Sequence, residues 1–261
     1  LNLEGNFVNR HESPDNNPSV DFISLGMDSA ELNMYSASLD FGWNTLSLKA
    51  EYAIKGKDIA SPSLQKAHRG AAIFTEVIFD CKPFSASATF RILDHMGTML
   101  SVASGVMGTG GTGNNLNYLP SLTRHYSYML ANLNPYQVNV IGEAAFQGDL
   151  FYTLRRSRNR YMVLHGNFSN ASTISPSQCD DSSKRRMWMD ISADAEIHWN
   201  KNLKTTLLYS RQEWSPSHGY EAGTYVSNIF VADGLYRFRD NFALRGELQY
   251  LASKDYEGDW A

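Results

Sequence analysis

The stretch MWMDISADAEIHW, residues 187–199, decides the fold, because its side chains alternate in character with a period of two. Seven of its residues, every second one from first to last, are apolar, and the positions between them include the carboxylates Asp190, Asp194 and Glu196. A period of two is typical of a β-strand with two different faces. Strands of globular proteins usually have about five or six residues, so an alternation of thirteen residues predicts an unusually long strand.

The same alternation recurs along the chain, which predicts an all-β protein. It is clearest in LSLKAEYAI (46–54), FSASATFRI (84–92), GEAAFQGDLFYTL (142–154) and FALRGELQY (242–250). Less regular strands are expected near 1–10, 31–41, 70–81, 160–169, 203–212 and 225–238. The total is about eleven strands in a single domain over residues 1–261, with no convincing amphipathic helix.

The connections between these strands alternate between short and long. Short turns fall at 42–44, 81–83, 155–159, 200–202 and 239–241, and long polar segments at 11–30, 55–69, 94–138, 170–185 and 213–224. Outer-membrane barrels have tight periplasmic turns and long extracellular loops. We therefore predict an antiparallel up-and-down transmembrane β-barrel in a bacterial outer membrane; a soluble barrel or sandwich is the alternative.

Composition is compatible with this prediction. No apolar run approaches the roughly 18 residues typical of a membrane helix, but barrel strands need only one apolar residue in two. The net charge is −4, without a basic block, so nucleic acid is not an expected partner. The expected partner is the lipid bilayer, with protein partners in an outer-membrane complex as a further possibility.

Aromatic residues lie near the predicted strand ends, where outer-membrane barrels carry girdles at the membrane interface. Alternatively, such residues pack a soluble core. The predicted interface aromatics are Trp43, Phe84, Tyr161, Trp199 and Phe242.

The polar sides of the strands are the predicted lumen. Acidic side chains outnumber basic ones there, so an open lumen would favour cations; alternatively, the charges pair across strands and fill a closed interior. The predicted lumen-facing charged residues are Lys49, Glu51, Glu76, Arg91, Glu143, Asp149, Asp190, Asp194, Glu196, Arg245 and Glu247, to which the wider count adds Asp80, Lys204, Asp233 and Arg237.

The number of predicted strands bears on the extent of the barrel. An odd number of antiparallel strands leaves the first and last strands running in the same direction, whereas single-chain bacterial barrels have even numbers. We therefore expect a segment of a larger, even-numbered barrel.

The longest connection, 94–138, contains NYLPSLTRHYSYMLANLNPY (117–136), whose Tyr and Leu residues are unnecessary in a solvated loop. It is expected to be a long loop or a partial plug.

No catalytic or metal-binding pattern stands out, so we expect neither an enzyme nor a cofactor. GTGGTGNN (108–115) lacks the Lys-Ser/Thr that completes a phosphate loop. His165 and His198 lack a serine context suited to nucleophilic catalysis. The sequence CDD (179–181) offers three ligand types but no convergent partners.

The two cysteines, Cys81 and Cys179, are predicted to remain unpaired. Cys81 falls at a short turn and Cys179 in a long connection, on opposite sides of a hydrocarbon core about 30 Å thick. A disulfide requires Cα atoms within about 7 Å.

The central stretch also carries a resemblance. NYLPSLTRHYSY, then NPY, then GEAAFQGDLFY resembles a family of outer-membrane β-barrel proteins of Bacteroidota known only as a domain of unknown function, and residues 229–261 are similar to a later hairpin of that family. Its members are about twice this length, which implies that this chain is a segment of a longer member. The resemblance implies the barrel and the location, but no substrate. The expected function is therefore a porin-like passive channel or transport barrel; the alternative is a structural or accessory subunit of an outer-membrane complex.

Overall fold

The computed structural model describes residues 1–12, 26–27, 31–59, 66–100, 119–174, 186–215, 224–239 and 241–254. Within these ranges the chain forms eleven long strands and one short 3-10 turn, Leu130–Asn132. No helix among the described residues is long and apolar enough to cross a membrane. The strands are β1 (Asn2–His11), β2 (Glu31–Trp43), β3 (Leu46–Asp58), β4 (His68–Cys81), β5 (Phe84–Asp94), β6 (Gly142–Ser157), β7 (Arg160–Thr173), β8 (Arg186–His198), β9 (Leu203–Trp214), β10 (Tyr225–Arg239) and β11 (Phe242–Lys254).

All eleven strands belong to one antiparallel, up-and-down sheet in which each strand pairs with its neighbours in the chain. The predicted all-β meander of about eleven strands is confirmed. The sheet is not closed, because the described parts of β1 and β11 form its two edges. These edge strands run in the same direction, as the odd strand count requires.

The sheet has two faces of opposite character, which we call the polar face and the apolar face. In β8, for example, Asp190, Ser192 and Asp194 lie on the polar face, and Ile191 and Ala193 on the apolar face. The register carries this division across the strands, since His165 of β7 lies directly opposite Asp194. Each strand therefore contributes alternate residues to each face, as its period of two predicts.

The apolar face carries two rows of aromatic side chains, which we call the turn belt and the loop belt; all are exposed except the half-buried Phe84. The turn belt lies near the short turns: Trp43, Phe79, Phe84, Tyr152, Trp199, Tyr236, Phe238 and Phe242. The loop belt lies nearer the long connections: Phe7, Tyr35, Tyr52, Phe90, Phe146, Phe168, Tyr209, Phe230 and Tyr250.

Between the two belts, the apolar face of the described strands carries no Asp, Glu, Lys or Arg. The charged residues of this face lie outside the two belts: Arg211, Glu213 and Lys254 at the long-connection ends of the strands, and Arg160 at the short turn between β6 and β7. Exposing a face of this composition to water would be unfavourable. Large contiguous apolar patches are accordingly rare on soluble monomers.

The core lies between the polar face and residues 119–141, which pack against it. One cluster joins Tyr126 and Ala131 of this segment to Leu208, Ile229 and Val231 of the sheet. A second cluster contains Ala145, Ala171 and Trp188, with Leu122 and Tyr136 packed against them.

Met187 departs from the expected alternation. It is buried, and its Sδ lies 3.9 Å from the Asn139 side chain of the packed segment. The reason is a register shift: Ala171 pairs with Trp188 but Ser172 pairs with Arg186, which leaves Met187 as an extra residue in β8. The expectation that all seven apolar residues of this strand share one face was wrong for Met187.

Candidate functional site

All eleven charged residues predicted for the lumen lie on the polar face of the sheet, as the pairing registers place them. They divide into two groups. Lys49, Glu51 and Glu76 lie on the part near the short turns of β3 and β4, where Lys49 is directly opposite Glu76. The others lie on β5–β11, and four of them, Arg91, Glu143, Asp190 and Asp194, hydrogen-bond to residues 119–141, which we call the inner segment.

Glu143 of β6 attaches the inner segment to the sheet through an ion pair and several hydrogen bonds. Its side chain is fully buried and forms an ion pair with Arg91 of β5, at 2.9 Å. Its second oxygen, Oε2, accepts hydrogen bonds from the Tyr136 hydroxyl at 2.7 Å and from the Asn139 backbone N–H at 2.8 Å. The Arg91 guanidinium also donates to the carbonyl oxygen of Pro120 at 2.5 Å. One buried pair therefore holds both ends of the inner segment.

Tyr126 forms a second attachment. Its hydroxyl donates to Asp190 Oδ2 at 2.6 Å, and the Ser210 hydroxyl donates to the other oxygen of the same carboxylate at 2.9 Å. Burial, and secondarily the adjacent Asp190 carboxylate, raise the pKa of Tyr126 above its usual range. Burial and the nearby Glu143 raise the pKa of Tyr136 in the same way. Both phenols are therefore held in the protonated, hydrogen-bond-donating form.

A chain of charged groups extends from the inner segment across three strands. Arg124 donates to Ser192 Oγ at 2.9 Å and to Asp194 at 2.5 Å. The Asp194 carboxylate also contacts His165 Nδ1 at 3.1 Å, and His165 Nε2 lies 2.8 Å from Asp149. His165 is thus held at both ring nitrogens by carboxylates, which leaves neither nitrogen available as a catalytic base in this arrangement.

The middle of the inner segment, which contacts β10 and β11, is held by weaker contacts. The Tyr128 hydroxyl lies 3.4 Å from Asp233, a carboxylate that also accepts two hydrogen bonds from Arg245 at 3.0 Å. The backbone N–H of Leu130 donates to Gln249 at 2.9 Å. Arg245 is half exposed, so solvent weakens this attachment relative to the one at Glu143.

On the β1–β3 part of the polar face, residues 97–99 are held by charged side chains that sequence reasoning did not single out. Arg10 donates to the Met99 carbonyl oxygen at 2.6 Å, and Lys55 donates to the carbonyl oxygen of Gly97. Both cations are buried beside Asp58, with Arg10 at 3.0 Å and Lys55 at 3.7 Å. The sequence gave no sign of these contacts, because Met99 is 89 residues from Arg10 and Gly97 is 42 residues from Lys55.

A glycine permits the close approach of this part of the chain. A Cβ on Gly70 would lie 2.6 Å from the carbonyl oxygen of His95. Any other residue would push His95 away from β4, and with it the backbone hydrogen bonds from His95 and Met96 to Ile141 and Val140.

Beneath the inner segment, a recess of about 420 Å³ remains open on the polar face. Basic and acidic side chains alternate around it: Arg124, Lys204 and Arg245 against Asp194, Glu196 and Asp233. Lys204 pairs with Glu196 at 2.7 Å. Such a recess can hold water and small ions, and its composition provides no set of convergent ligands for a fixed metal.

The predicted interface aromatics do not all share a face. Trp43, Phe84, Trp199 and Phe242 lie on the apolar face at the strand ends next to the short turns. Tyr161 instead lies on the polar face, where its ring stacks on His198 with centroids 4.0 Å apart. A position near a strand end fixes the depth of a side chain but not its face.

Some sequence-based expectations fall outside the described residues. They concern GTGGTGNN (108–115), CDD (179–181) and Cys179. Cys81 is described and lies exposed at the end of β4.

Comparison with models of known protein families identifies the family of this chain. A model of a family of unknown function, DUF6029, matches residues 1–261. The chain belongs to this family. This match agrees with the resemblance to a domain-of-unknown-function family. The match extends over the whole chain, whereas the resemblance was carried by the central and final stretches alone. None of the curated proteins with which the chain was compared matches it.

Proposed function

We propose that this member of the DUF6029 family is part of an outer-membrane β-barrel, a porin-like passive channel or transport barrel with a weakly acidic lumen. The observation that carries the proposal is the composition of the apolar face: an uncharged aliphatic band between two aromatic belts. Outer-membrane barrels present such a band, about 25 Å tall, to lipid.

The spacing of the belts is of the same order as the height of such a band. On β2, Trp43 and Tyr35 are eight residues apart, and on β10, Tyr236 and Phe230 are six apart. At about 3.4 Å per residue, these separations are roughly 20–27 Å along a strand. At a strand tilt of about 35–45°, these separations become roughly 14–22 Å along the membrane normal, somewhat less than the apolar band of about 25 Å in such barrels.

The polar face then lines the lumen, and the inner segment is a partial plug. Its hydrogen bonds to Glu143, Asp190 and Asp194 hold it against the wall. The recess beneath it and the uncovered Lys49, Glu51 and Glu76 leave a polar path along the remaining wall. Acidic groups outnumber basic ones among the predicted lumen residues, so permeating ions should be cations.

Planar bilayer recordings on the full-length protein test the channel. We expect discrete, cation-selective openings, with selectivity reduced in a Glu51→Gln/Glu76→Gln variant because both carboxylates lie on the uncovered wall. A His125→Gln variant, altered at an exposed position of the inner segment, is the control and should retain the selectivity. Anion selectivity would contradict the proposal.

A second candidate is a structural or accessory subunit of an outer-membrane complex. The packing of the inner segment onto the polar face favours it, because a filled interior does not conduct. Membrane insertion without any conductance, in the wild type and in variants with a loosened inner segment, would select this alternative.

A further inference from the structure

The apolar face contains a groove of about 560 Å³ across β7–β11, within the roughly 300–1,000 Å³ range of pockets that bind small ligands. Its lining alternates between small and large side chains on adjacent strands. On one level, Ala195 pairs with Leu207, Leu207 with Ala232, and Ala232 with Leu248. The slot between Leu207 and Leu248 is therefore two strand spacings wide, about 9–10 Å between backbones.

Toward the short turns, glycines follow the alanine on the same face. Gly234 lies two residues beyond Ala232 on the same face of β10, and Gly246 lies opposite it on β11. A Cβ built on either glycine would meet nothing within 4 Å. Beyond Ala232, this part of the apolar face therefore carries no β10 or β11 side chain at the two glycine positions that would obstruct an acyl chain.

Cationic side chains lie at the other end of the groove. Arg211 follows Tyr209, a lining residue, on the same face of β9. Its guanidinium contacts Glu213 at 2.8 Å, and Arg186 contacts the second oxygen of the same carboxylate at 3.3 Å. Two half-exposed arginines thus share one carboxylate that is only 16% exposed. The cluster carries a net positive charge and faces outward.

We infer that this groove binds a phosphate-bearing membrane lipid, with one acyl chain in the slot and the phosphate on Arg211 and Arg186. The inference rests on the proposed function, since only a membrane would present acyl chains to this face. Charge complementarity favours a phosphate-bearing lipid. An apolar slot alone would accept any hydrocarbon, but the two arginines at its end can bind the oxygens of a phosphate. Glu213 holds both guanidiniums in place and weakens their attraction for an anion.

Native mass spectrometry of the full-length protein, released from micelles doped with a defined lipid, tests this inference. The probes are dipalmitoyl phosphatidylglycerol and dipalmitoylglycerol, which have the same acyl chains but differ in the phosphate group. We expect the wild type to retain one phosphatidylglycerol and little diacylglycerol. Arg211→Gln should retain about tenfold less of the phospholipid, since hydrogen bonds to charged groups are the strong ones. Glu213→Gln should retain more, a gain that a merely structural role would not produce.

Two leucine substitutions separate the slot from the rest of the surface. Ala232→Leu fills the groove and should abolish retention. Ala37→Leu makes the same change at an exposed position on the apolar face of β2, far from the groove, and should have no effect. Equal retention by all variants, equal retention of diacylglycerol, or a dimer that A232L disrupts would each overturn the inference.

Vesicle flotation of the same samples keeps the two proposals apart. Flotation of the wild type without lipid retention would reject the lipid site and leave the barrel proposal intact. Failure of the wild type to float would reject both.

Discussion

Asp190 and Ile191 are consecutive residues of β8, yet Asp190 is fully buried and Ile191 is 44% exposed. This is the reverse of the order in a soluble strand, where the carboxylate faces water and the isoleucine faces the core. Asp190 is buried because Tyr126 of the inner segment covers it and donates a hydrogen bond. Ile191 is exposed because the apolar face has no protein partner among the described residues. The proposed membrane supplies what covers that face.

A charge on the apolar face should destabilise the protein in a bilayer. Leu39 lies between the two belts on β2, so Leu39→Arg should cost about 2–4 kcal/mol, the range for a cation near the bilayer midplane. The control is Ser38→Arg, on the polar face opposite Glu4 and Glu51, which should change stability little. Urea unfolding in vesicles measures both. Equal costs for the two variants would argue against a lipid-facing surface.

The Glu143 attachment should be important for stability. Glu143→Ala leaves Arg91 buried without its carboxylate and removes the acceptor for Tyr136 and Asn139, so we expect a loss of about 3–5 kcal/mol. Glu247→Ala removes a partner of the half-exposed Arg245 and should cost less than about 1 kcal/mol. The same urea titrations compare them. A mild effect of Glu143→Ala would show that the inner segment is not held as described.

Alkaline pH should release the inner segment. An ordinary tyrosine has a pKa of about 10, and docking raises the pKa of Tyr126 and Tyr136. The docked state therefore binds the phenolic protons more tightly than the released state. Docking is fully stable below about pH 10 and weakens as the pH rises above it. Fluorescence of Trp188, whose ring centroid is 6.0 Å from that of Tyr136, should report the release.

Phenylalanine variants provide the control for this pH dependence. Tyr126→Phe/Tyr136→Phe removes both titrating groups and should flatten the change in Trp188 fluorescence above pH 10. An unchanged profile in this double variant would assign the transition to other groups.

Loosening the inner segment should increase conductance. Arg124→Gln/Tyr126→Phe removes the contacts to Asp194 and Asp190, so single-channel recordings should show larger or more frequent openings than the wild type. His125→Gln changes the exposed residue between them and should match the wild type. Identical recordings from all three proteins would mean that the inner segment does not obstruct the path.

The strands and their faces could be predicted from sequence because both follow from a local period of two. Asp194, Glu196 and Glu247 were assigned to the polar side from their neighbours alone, and the pairing registers place them there. Met187 could not be assigned correctly, because the extra residue in β8 is visible only once β7 is paired with it. Tyr161 illustrates the same limit, since aromatic character and a strand end do not determine the face.

The contacts of the inner segment were beyond the reach of sequence reasoning. Arg124 and Asp194 are 70 residues apart, and Tyr128 and Asp233 are 105 apart. No periodicity links such pairs, because a loop can dock in many registers. The Tyr and Leu residues of 117–136 indicated only that these side chains pack against another part of the protein, without indicating which part.

The most direct test of the central claim is a scan of β8 in lipid vesicles. Single cysteines at 190–197, in a background with Cys81 and Cys179 replaced by serine, would carry spin labels read by collisions with oxygen or with a water-soluble nickel chelate. Labels on the apolar face, at 191, 193, 195 and 197, should collide more with oxygen than those at 190, 192, 194 and 196, and among the latter the least covered, 196, should collide most with nickel. Accessibility without a period of two, or nickel access at every position, would contradict a strand that has lipid on one side and a polar interior on the other.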